Sequence, residues 1–287
     1  MKQVITFFLA IILNFAVYKH SISMENGDCL SQLEIISKII DSRKSSLSGA
    51  SPLAVNNIIQ FWRVGEAINS PINIVMSSFF DKTELANSAI SYIKEEGEKL
   101  GGLLEWWVFS ETTPKNMNKL LENSGFEQSY SLKVMIYYLN NELIDVHDDK
   151  HISVYPLGVE LIRDWIDILK RAYNFNGCFD EDLYQDYIKR GINSGVTEYY
   201  SGYYLGELAA TAGLFKGNDY GFIYTTATDE KFRRKKLATQ IIQVLLNRAK
   251  ELGLKYVILE CDESIVELYK KIGFEEAFCI ERFHLKS

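Results

Sequence analysis

The sequence predicts an α/β protein made of two successive halves, each a mixed sheet with helices packed against it. Three observations carry this. Strand-length apolar runs alternate with helix-length amphipathic stretches through most of the chain. A polar stretch from Asn140 to His151 divides that alternation. The two parts also end alike: Leu120-Leu121-Glu122-Asn123-Ser124-Gly125-Phe126-Glu127 echoes Leu268-Tyr269-Lys270-Lys271-Ile272-Gly273-Phe274-Glu275. Each echo follows a long helix and an apolar strand and precedes another strand, an order that points to duplication. A length of 287 residues suits two domains of about 150 residues each.

Residues 1–23 differ from the rest. Lys2 precedes an apolar run from Val4 to Val17, too short for a comfortable membrane span, and Ser21 and Ser23 are small enough for a cleavage site. This reads either as a secretory signal or as an extension upstream of a true start at Met24, and both leave a mature chain with no stable membrane insertion. Helices are expected over Leu30–Ile40 and Ala54–Ile68, then a strand over Ile72–Met76. The helix Thr83–Leu100 is closed by Gly101 and Gly102, and the strand Leu104–Phe109 follows. A helix from Pro114 to Asn123, ended by Gly125, and the strand Tyr130–Leu139 complete the first half. The second half opens with the strand Ile152–Tyr155 and helices over Gly158–Tyr173 and Asp180–Lys189. Strands Thr197–Leu205, Leu208–Phe215 and Gly221–Thr228, separated by Gly206-Glu207 and Lys216–Asp219, predict an antiparallel meander. The expected domains are thus 24–148 and 149–287.

Composition excludes several classes. With 47% hydrophobic and 24% charged residues and 4 Pro, the chain is neither disordered nor collagenous, and a mean hydropathy of -0.08 excludes a polytopic membrane protein. A net charge of -7 argues against nucleic acid as the main partner. Cys29, Cys178, Cys261 and Cys279 are scattered and read as reduced thiols. No histidine falls near them at zinc-ligand spacing, and His147 and His151 sit in a solvated linker.

Chemistry concentrates between Phe222 and Phe274. After the strand come Phe232-Arg233-Arg234-Lys235-Lys236-Leu237-Ala238-Thr239 and a helix reaching about Leu252, then the strand Tyr256–Cys261. Ile241, Ile242, Leu245, Ala249 and Leu252 form the helix's apolar stripe. Four consecutive cations at a helix entrance oppose its dipole, and a bound multiply charged anion relieves that cost. An isolated basic turn is otherwise a solvated surface.

In this context the segment resembles the GCN5-related N-acetyltransferase (GNAT) superfamily, whose acetyl-coenzyme A loop reads Gln/Arg-x-x-Gly-x-Gly/Ala. Arg233 fits the first position and Ala238 the last, while Lys236 stands where the family has Gly. Glu263-Ser264-Ile265-Val266-Glu267-Leu268-Tyr269-Lys270-Lys271-Ile272-Gly273-Phe274 is similar to the family's A-x-x-L-Y-x-K-x-G-F helix and following strand, and Ser264 with Glu267 reads as a capping box. The likeness spans Ile152–Leu285 and implies an acetyltransferase that takes acetyl-CoA as co-substrate and a primary amine as acceptor. It implies cofactor contacts from Arg233, Arg234, Lys235, Lys236, Leu237, Ala238, Thr239 and Ser264, and from the backbone of Ala227 and Thr228 near the acetyl carbonyl. Tyr269 takes the place of the acid that protonates the leaving thiolate. Glu207, Asp229, Glu230 and Glu260 are available as bases; Asp229 and Glu230 are expected to cap the basic turn, Glu260 is preferred, and a water chain would also serve.

The first half resembles a degenerate copy. Phe79-Phe80-Asp81-Lys82-Thr83-Glu84 replaces the cofactor loop and Leu121 the tyrosine. Its expected uses are to cover the open edge of the second half and to wall an acceptor pocket, with Trp106, Trp107 and Phe109 as candidate lining. The alternatives are a noncatalytic acyl-CoA sensor and a secreted binding protein. Transferase chemistry implies the cytoplasm, and a working signal peptide implies export.

Overall fold

The computed structural model describes residues 30, 32–46, 51–56, 58–64, 72–140, 142–146, 149–173 and 181–286. The leader, the start at Met24, and Cys29, His147 and Cys178 lie outside them. Helix α1 (Gln32–Ser46) is followed by strands β1 (Ser51–Val55) and β2 (Ile59–Val64). Where a helix is expected over 54–68, the described residues 54–56 and 58–64 belong instead to a hairpin. Its turn is built by Asn56, whose side-chain oxygen accepts the N–H groups of Ile58 (2.8 Å) and Ile59 (2.9 Å). The run Ile58-Ile59-Gln60-Phe61-Trp62 then has the β-branched and aromatic residues that fit a pleated surface.

The first half continues with β3 (Ile72–Ser78), α2 (Thr83–Leu100), β4 (Leu103–Val108), α3 (Met117–Asn123) and β5 (Phe126–Tyr138). The second holds β6 (Ile152–Pro156), α4 (Ile162–Tyr173), entered through a 3-10 turn, and α5 (Glu181–Ser194). The expected antiparallel meander follows as β7 (Thr197–Tyr204), β8 (Glu207–Lys216) and β9 (Tyr220–Thr228). Leu205 and Gly206 turn it with φ of 51° and 84°, the left-handed pair that a tight two-residue hairpin requires. Last come α6 (Leu237–Glu251), β10 (Tyr256–Cys261), α7 (Val266–Ile272) and β11 (Glu275–Leu285).

Among the described residues, eleven strands form one sheet in the order β1-β2-β3-β4-β11-β5-β10-β9-β8-β7-β6. The last strand of each half has crossed into the other. β11 lies between β4 and β5, and β5 lies between β11 and β10, all antiparallel. The exchange has internal symmetry. Phe126 and Phe274 of the sequence echo are 148 positions apart, as are Leu132 and Ile280, which face each other in the β5–β11 ladder. The ladder's irregularities match as well, one skipping Ala277 on β11 and the other Ser129 on β5, again 148 positions apart. A local dyad thus passes through the Leu132–Ile280 pair, and the first half does cover the edge of β10.

The helices cover both faces of the second half. Ile241, Ile242, Leu245, Leu246 and Ala249 of α6 pack with Tyr269 of α7 on Ala212, Leu214, Ile223, Val257 and Leu259. Each large aliphatic group buried there contributes about 1.5–3 kcal/mol. On the opposite face Trp165, Ile166 and Leu169 of α4 and Ile188 of α5 pack on Tyr199 and Ala227. α6 is also tied to β7, where Arg248 bonds Glu198 at 2.9 and 3.0 Å and holds that carboxyl down at about 2.

Strand exchange also brings a buried charge cluster together. Arg282 of β11 reaches Glu105 of β4 (3.5 Å), Glu260 of β10 (3.3 Å) and the hydroxyl of Tyr130 of β5 (2.9 Å), and its guanidinium lies over Trp107. Breaking such a buried set costs about 3–5 kcal/mol, although a well-packed apolar replacement is often as stable. Its clearest effect here is on register, because the charges meet only when both halves contribute their strands. Residues 24–148 and 149–287 produced separately are accordingly expected to aggregate, and to fold together when produced in one cell. Cooperative unfolding of isolated 149–287, followed by circular dichroism, would contradict the exchange as a folding requirement.

Candidate functional site

The site starts from a strand pair that parts. β9 and β10 run parallel in register only from Tyr220–Ile223 against Tyr256–Leu259, and beyond that point they diverge. β9 also bulges where it leaves its partner, since Gly213 of β8 faces Tyr224 and Thr211 faces Ala227. Thr225 and Thr226 there oppose the single residue Ala212, and Thr225 adopts φ 53°, a left-handed backbone that costs a side-chain-bearing residue about 1–2 kcal/mol. Gly213 makes the bulge passable, because a Cβ there would sit 3.2 Å from the Thr225 hydroxyl. The Thr211 hydroxyl donates to the Thr225 carbonyl at 2.8 Å, and the Tyr173 hydroxyl donates to the Thr226 carbonyl at 2.9 Å. Ala227 and Thr228 lie just past the bulge, bonded to β8 on one side and facing the gap on the other.

The basic turn leads from that gap into α6. Asp229 caps a short 3-10 turn by accepting the N–H of Lys231, and its Oδ2 takes two N–H groups of Arg171 at 2.7 and 3.0 Å. Burial pushes this carboxyl up, but the Arg171 and Lys231 contacts outweigh it and leave the group below its ordinary range. Glu230 pairs with Arg233 at 3.1 Å, so both acids hold the turn. Lys235 lies over the Tyr204 ring, and Arg233, Arg234, Lys235 and Lys236 are all exposed. Arg234 and Lys236 both adopt φ 64°, and Lys236 is the N-cap of α6 without a side-chain cap bond. Leu237 turns inward at 1% exposure, while Ala238 and Thr239 fill the first turn. The lysine thus keeps the left-handed backbone for which glycine is suited.

Tyr269 closes the gap from the α7 side. Packed with Cys261, Val266 and Phe274, it is 5% exposed, and burial pushes its hydroxyl above the ordinary phenol range. It therefore holds its proton at neutral pH. The Cys261 thiol is pushed up to about 12, first by burial and then by Asp262, Glu263 and Glu276. Ser264 is exposed before α7, and the capping box expected there does not form. Asp262 accepts the Ser264 N–H at 2.8 Å, and Glu267 pairs with Lys270 at 3.5 Å. The sequence starts a 3-10 turn at Glu263 before the α-helix, which shifts the capping position back to Asp262.

Glu260 sits one residue before Cys261 and therefore projects from the other face of the sheet, where it meets Arg282. The Glu207 carboxylate pairs with Lys231 at 3.1 Å. The arrangement brings together Tyr269, the β9 bulge and the cationic entrance of α6, and keeps Glu260 apart from Tyr269. Sequence reading missed Thr225, Thr226 and Tyr173. A bulge leaves no mark in a β-branched run, and Tyr173 reads there only as the end of a helix.

The first half shows the same frame closed. β3 and β4 pair over Ile72–Val75 against Leu103–Trp106, then Phe79 bridges Thr113 and the Phe80 N–H bonds the Thr113 carbonyl at 3.0 Å. Leu121, fully buried, occupies the position of Tyr269. Trp106 and Trp107 are core residues, the latter under Arg282, whereas Phe109 lines a cavity of about 450 Å³ with Val108, Met117, Phe278 and Glu281.

The sequence model of the acetyltransferase (GNAT) family matches residues 162–274. This region is a GNAT domain. Solved structures agree on the fold. A GCN5-related N-acetyltransferase from Kribbella flavida aligns with TM-score 0.66 and 12% identity over 88% of this chain and 95% of its own. One from Sphaerobacter thermophilus gives 0.65 and 10% over 86% and 84%. A tandem GNAT protein from the clavulanic acid biosynthesis pathway gives 0.56 and 12% over 88% and 95%. At these identities the likeness shows fold alone. No curated protein matches the sequence. The residues of the GNAT domain fit the family's acetyl-CoA: a left-handed, cationic loop meets a helix N-terminus lacking a side-chain cap, beside an open strand gap. Among the described residues no cluster suited to a metal ion occurs, and no helix is long and apolar enough to cross a membrane. Because Lys236 holds a glycine conformation, Lys236→Gly is expected to stabilise the chain by about 1 kcal/mol in urea unfolding.

Proposed function

We propose that residues 149–287 transfer an acetyl group from acetyl-CoA to a primary amine, and that residues 24–148 support and shape that site without chemistry of their own. The observation that carries this reading is the open gap between β9 and β10, with a protonated phenol at one side and an uncapped cationic helix entrance at its mouth. In this reading Arg233, Arg234, Lys235 and Lys236 neutralise phosphate charge, while the N–H groups of Leu237, Ala238 and Thr239 complete the anion site. Ser264, beside α7, lies near the same substrate.

Acetyl-CoA, when bound, supplies an acetyl group activated as a thioester. The backbone of Ala227 and Thr228, turned toward the gap, stabilises charge on the acetyl oxygen. As the amine nitrogen forms its bond to the acetyl carbon and the carbon–sulfur bond breaks, the Tyr269 hydroxyl gives its proton to the departing sulfur. The proton lost from the amine goes to water and returns through solvent to Tyr269, which balances the reaction. Glu260 organises the buried cluster in this account, since its carboxylate is paired with Arg282 on the face of the sheet away from Tyr269. Cys261 is no acyl carrier, because a thiol held near 12 is neutral at pH 7 and a poor nucleophile, and transfer is direct. The reading places the chain in the cytoplasm.

Calorimetric titration with acetyl-CoA, then a panel of amines scored by thiol release, tests the reading. No binding at millimolar acetyl-CoA would refute it. Arg233→Glu and Lys236→Glu are expected to weaken binding, and unchanged affinity in both removes the phosphate-loop assignment. Tyr269→Phe is expected to lower kcat at least about tenfold, or about 1.4 kcal/mol, with affinity retained. Binding without turnover in the parent chain favours instead a noncatalytic acyl-CoA sensor, a reading to which the strained Lys236 lends support. Cys261→Ala is expected to keep its activity, and mass spectrometry should find no acetylated enzyme during turnover.

A further inference from the structure

The gap between β9 and β10 is reached from both faces of the sheet. Tyr269 approaches with α6 and α7, and Tyr173, the last residue of α4, approaches from the opposite face. Tyr173 is held there firmly. Trp165 of the same helix donates to the Tyr200 carbonyl at 2.8 Å, and Arg171, two residues before Tyr173, grips Asp229 at the head of the basic turn. The ring remains 50% exposed, yet its hydroxyl donates at 2.9 Å to the carbonyl of Thr226 within the β9 bulge. It is also close enough to Tyr269 for the charge of one phenol to bear on the other.

A phenol has one proton, and that of Tyr173 is committed to Thr226. What its oxygen offers a ligand is therefore a lone pair, so the ligand group that meets it must donate a hydrogen bond. An amine in its reactive free-base form has N–H donors besides the lone pair that attacks. One N–H given to Tyr173 fixes the nitrogen and leaves that lone pair available for the acetyl carbon. An acyl group, an ether or a carboxylate has no such donor and gains nothing there.

We infer that Tyr173 is the acceptor-positioning residue: it takes one N–H of the incoming amine on the α4 face of the gap, opposite Tyr269. This rests on the reading of the GNAT domain as an acetyltransferase. Tyr173 moves no proton in the reaction, and its contribution is to the location and orientation of the amine.

The test uses the full chain with acetyl-CoA and five amines, namely ethanolamine, benzylamine, lysine methyl ester, spermidine and an Ala-Ala-Ala amide. Tyr173→Phe is expected to raise KM for the best of these about tenfold, the worth of one hydrogen bond, with kcat within about twofold and acetyl-CoA affinity unchanged. Tyr173→His, whose neutral ring also accepts a hydrogen bond, is expected to recover part of the loss. A merely structural tyrosine would instead lower the melting temperature and shift acetyl-CoA affinity and kcat together. An unchanged amine KM in Tyr173→Phe, or a KM rise matched by loss of acetyl-CoA affinity, overturns the inference and leaves the transferase reading standing. A parent chain that binds acetyl-CoA but acetylates none of the amines overturns it as well, and one that binds no acetyl-CoA removes the reading beneath it.

Discussion

The pairing of β5 with β11 is the constraint on which the rest of this molecule depends. Each strand is the last of its own half and an interior strand of the other, so neither half has a finished sheet before both are made. Interior strands bring long-range contacts whose register is strongly specified, because a shift by one residue would turn every side chain to the wrong face. The dyad at Leu132 and Ile280 meets that demand with one repeated sequence pattern used twice. The buried Arg282 set adds a polar check, since its two carboxylates come from strands on either side of the exchange.

From this frame the site follows. β10 is flanked by β5 on one side, and its other side holds β9 for only four residue pairs before the strands part. A gap in a parallel sheet leaves backbone groups that need partners. Here the Thr225 and Thr226 carbonyls are taken by hydroxyls from Thr211 and Tyr173. The strain at Thr225, Arg234 and Lys236 is concentrated along the same rim, as expected where close approach to a ligand matters more than local stability. The rigid packing of α6 on the sheet offsets that cost.

Much of the frame was legible in the residues. The periodicity of Thr83–Leu100 and the apolar run Tyr256–Cys261 each end where the structure ends them, because a glycine pair closes the first and turn residues bound the second. The repeated Gly-Phe-Glu ends were legible too, but not the exchange, which depends on pairing between residues far apart in sequence. The segment 54–68 was misread because Ile58 to Trp62 satisfies either period over so few residues, and the Asn56 turn decided it. At the site, Arg233–Thr239 and Tyr269 could be picked out by order along the chain. Left-handed backbone at Thr225 and Lys236 could not, since neither is a glycine, and Tyr173 acquires its meaning only through the Thr226 carbonyl it meets.

The closed gap of the first half bears on how this gene can change. Phe79 and Thr113, beyond the ends of β3 and β4, bridge where β9 and β10 stay apart, so under the proposed reading the loop before α2 has no duty toward a ligand. The strand Phe126–Tyr138 has no such freedom, for it lies beside β10 of the second half. Constraint on the first half is therefore lopsided: slack at its rim, tight at its tail. Deleting the first half would strip β10 of its neighbour.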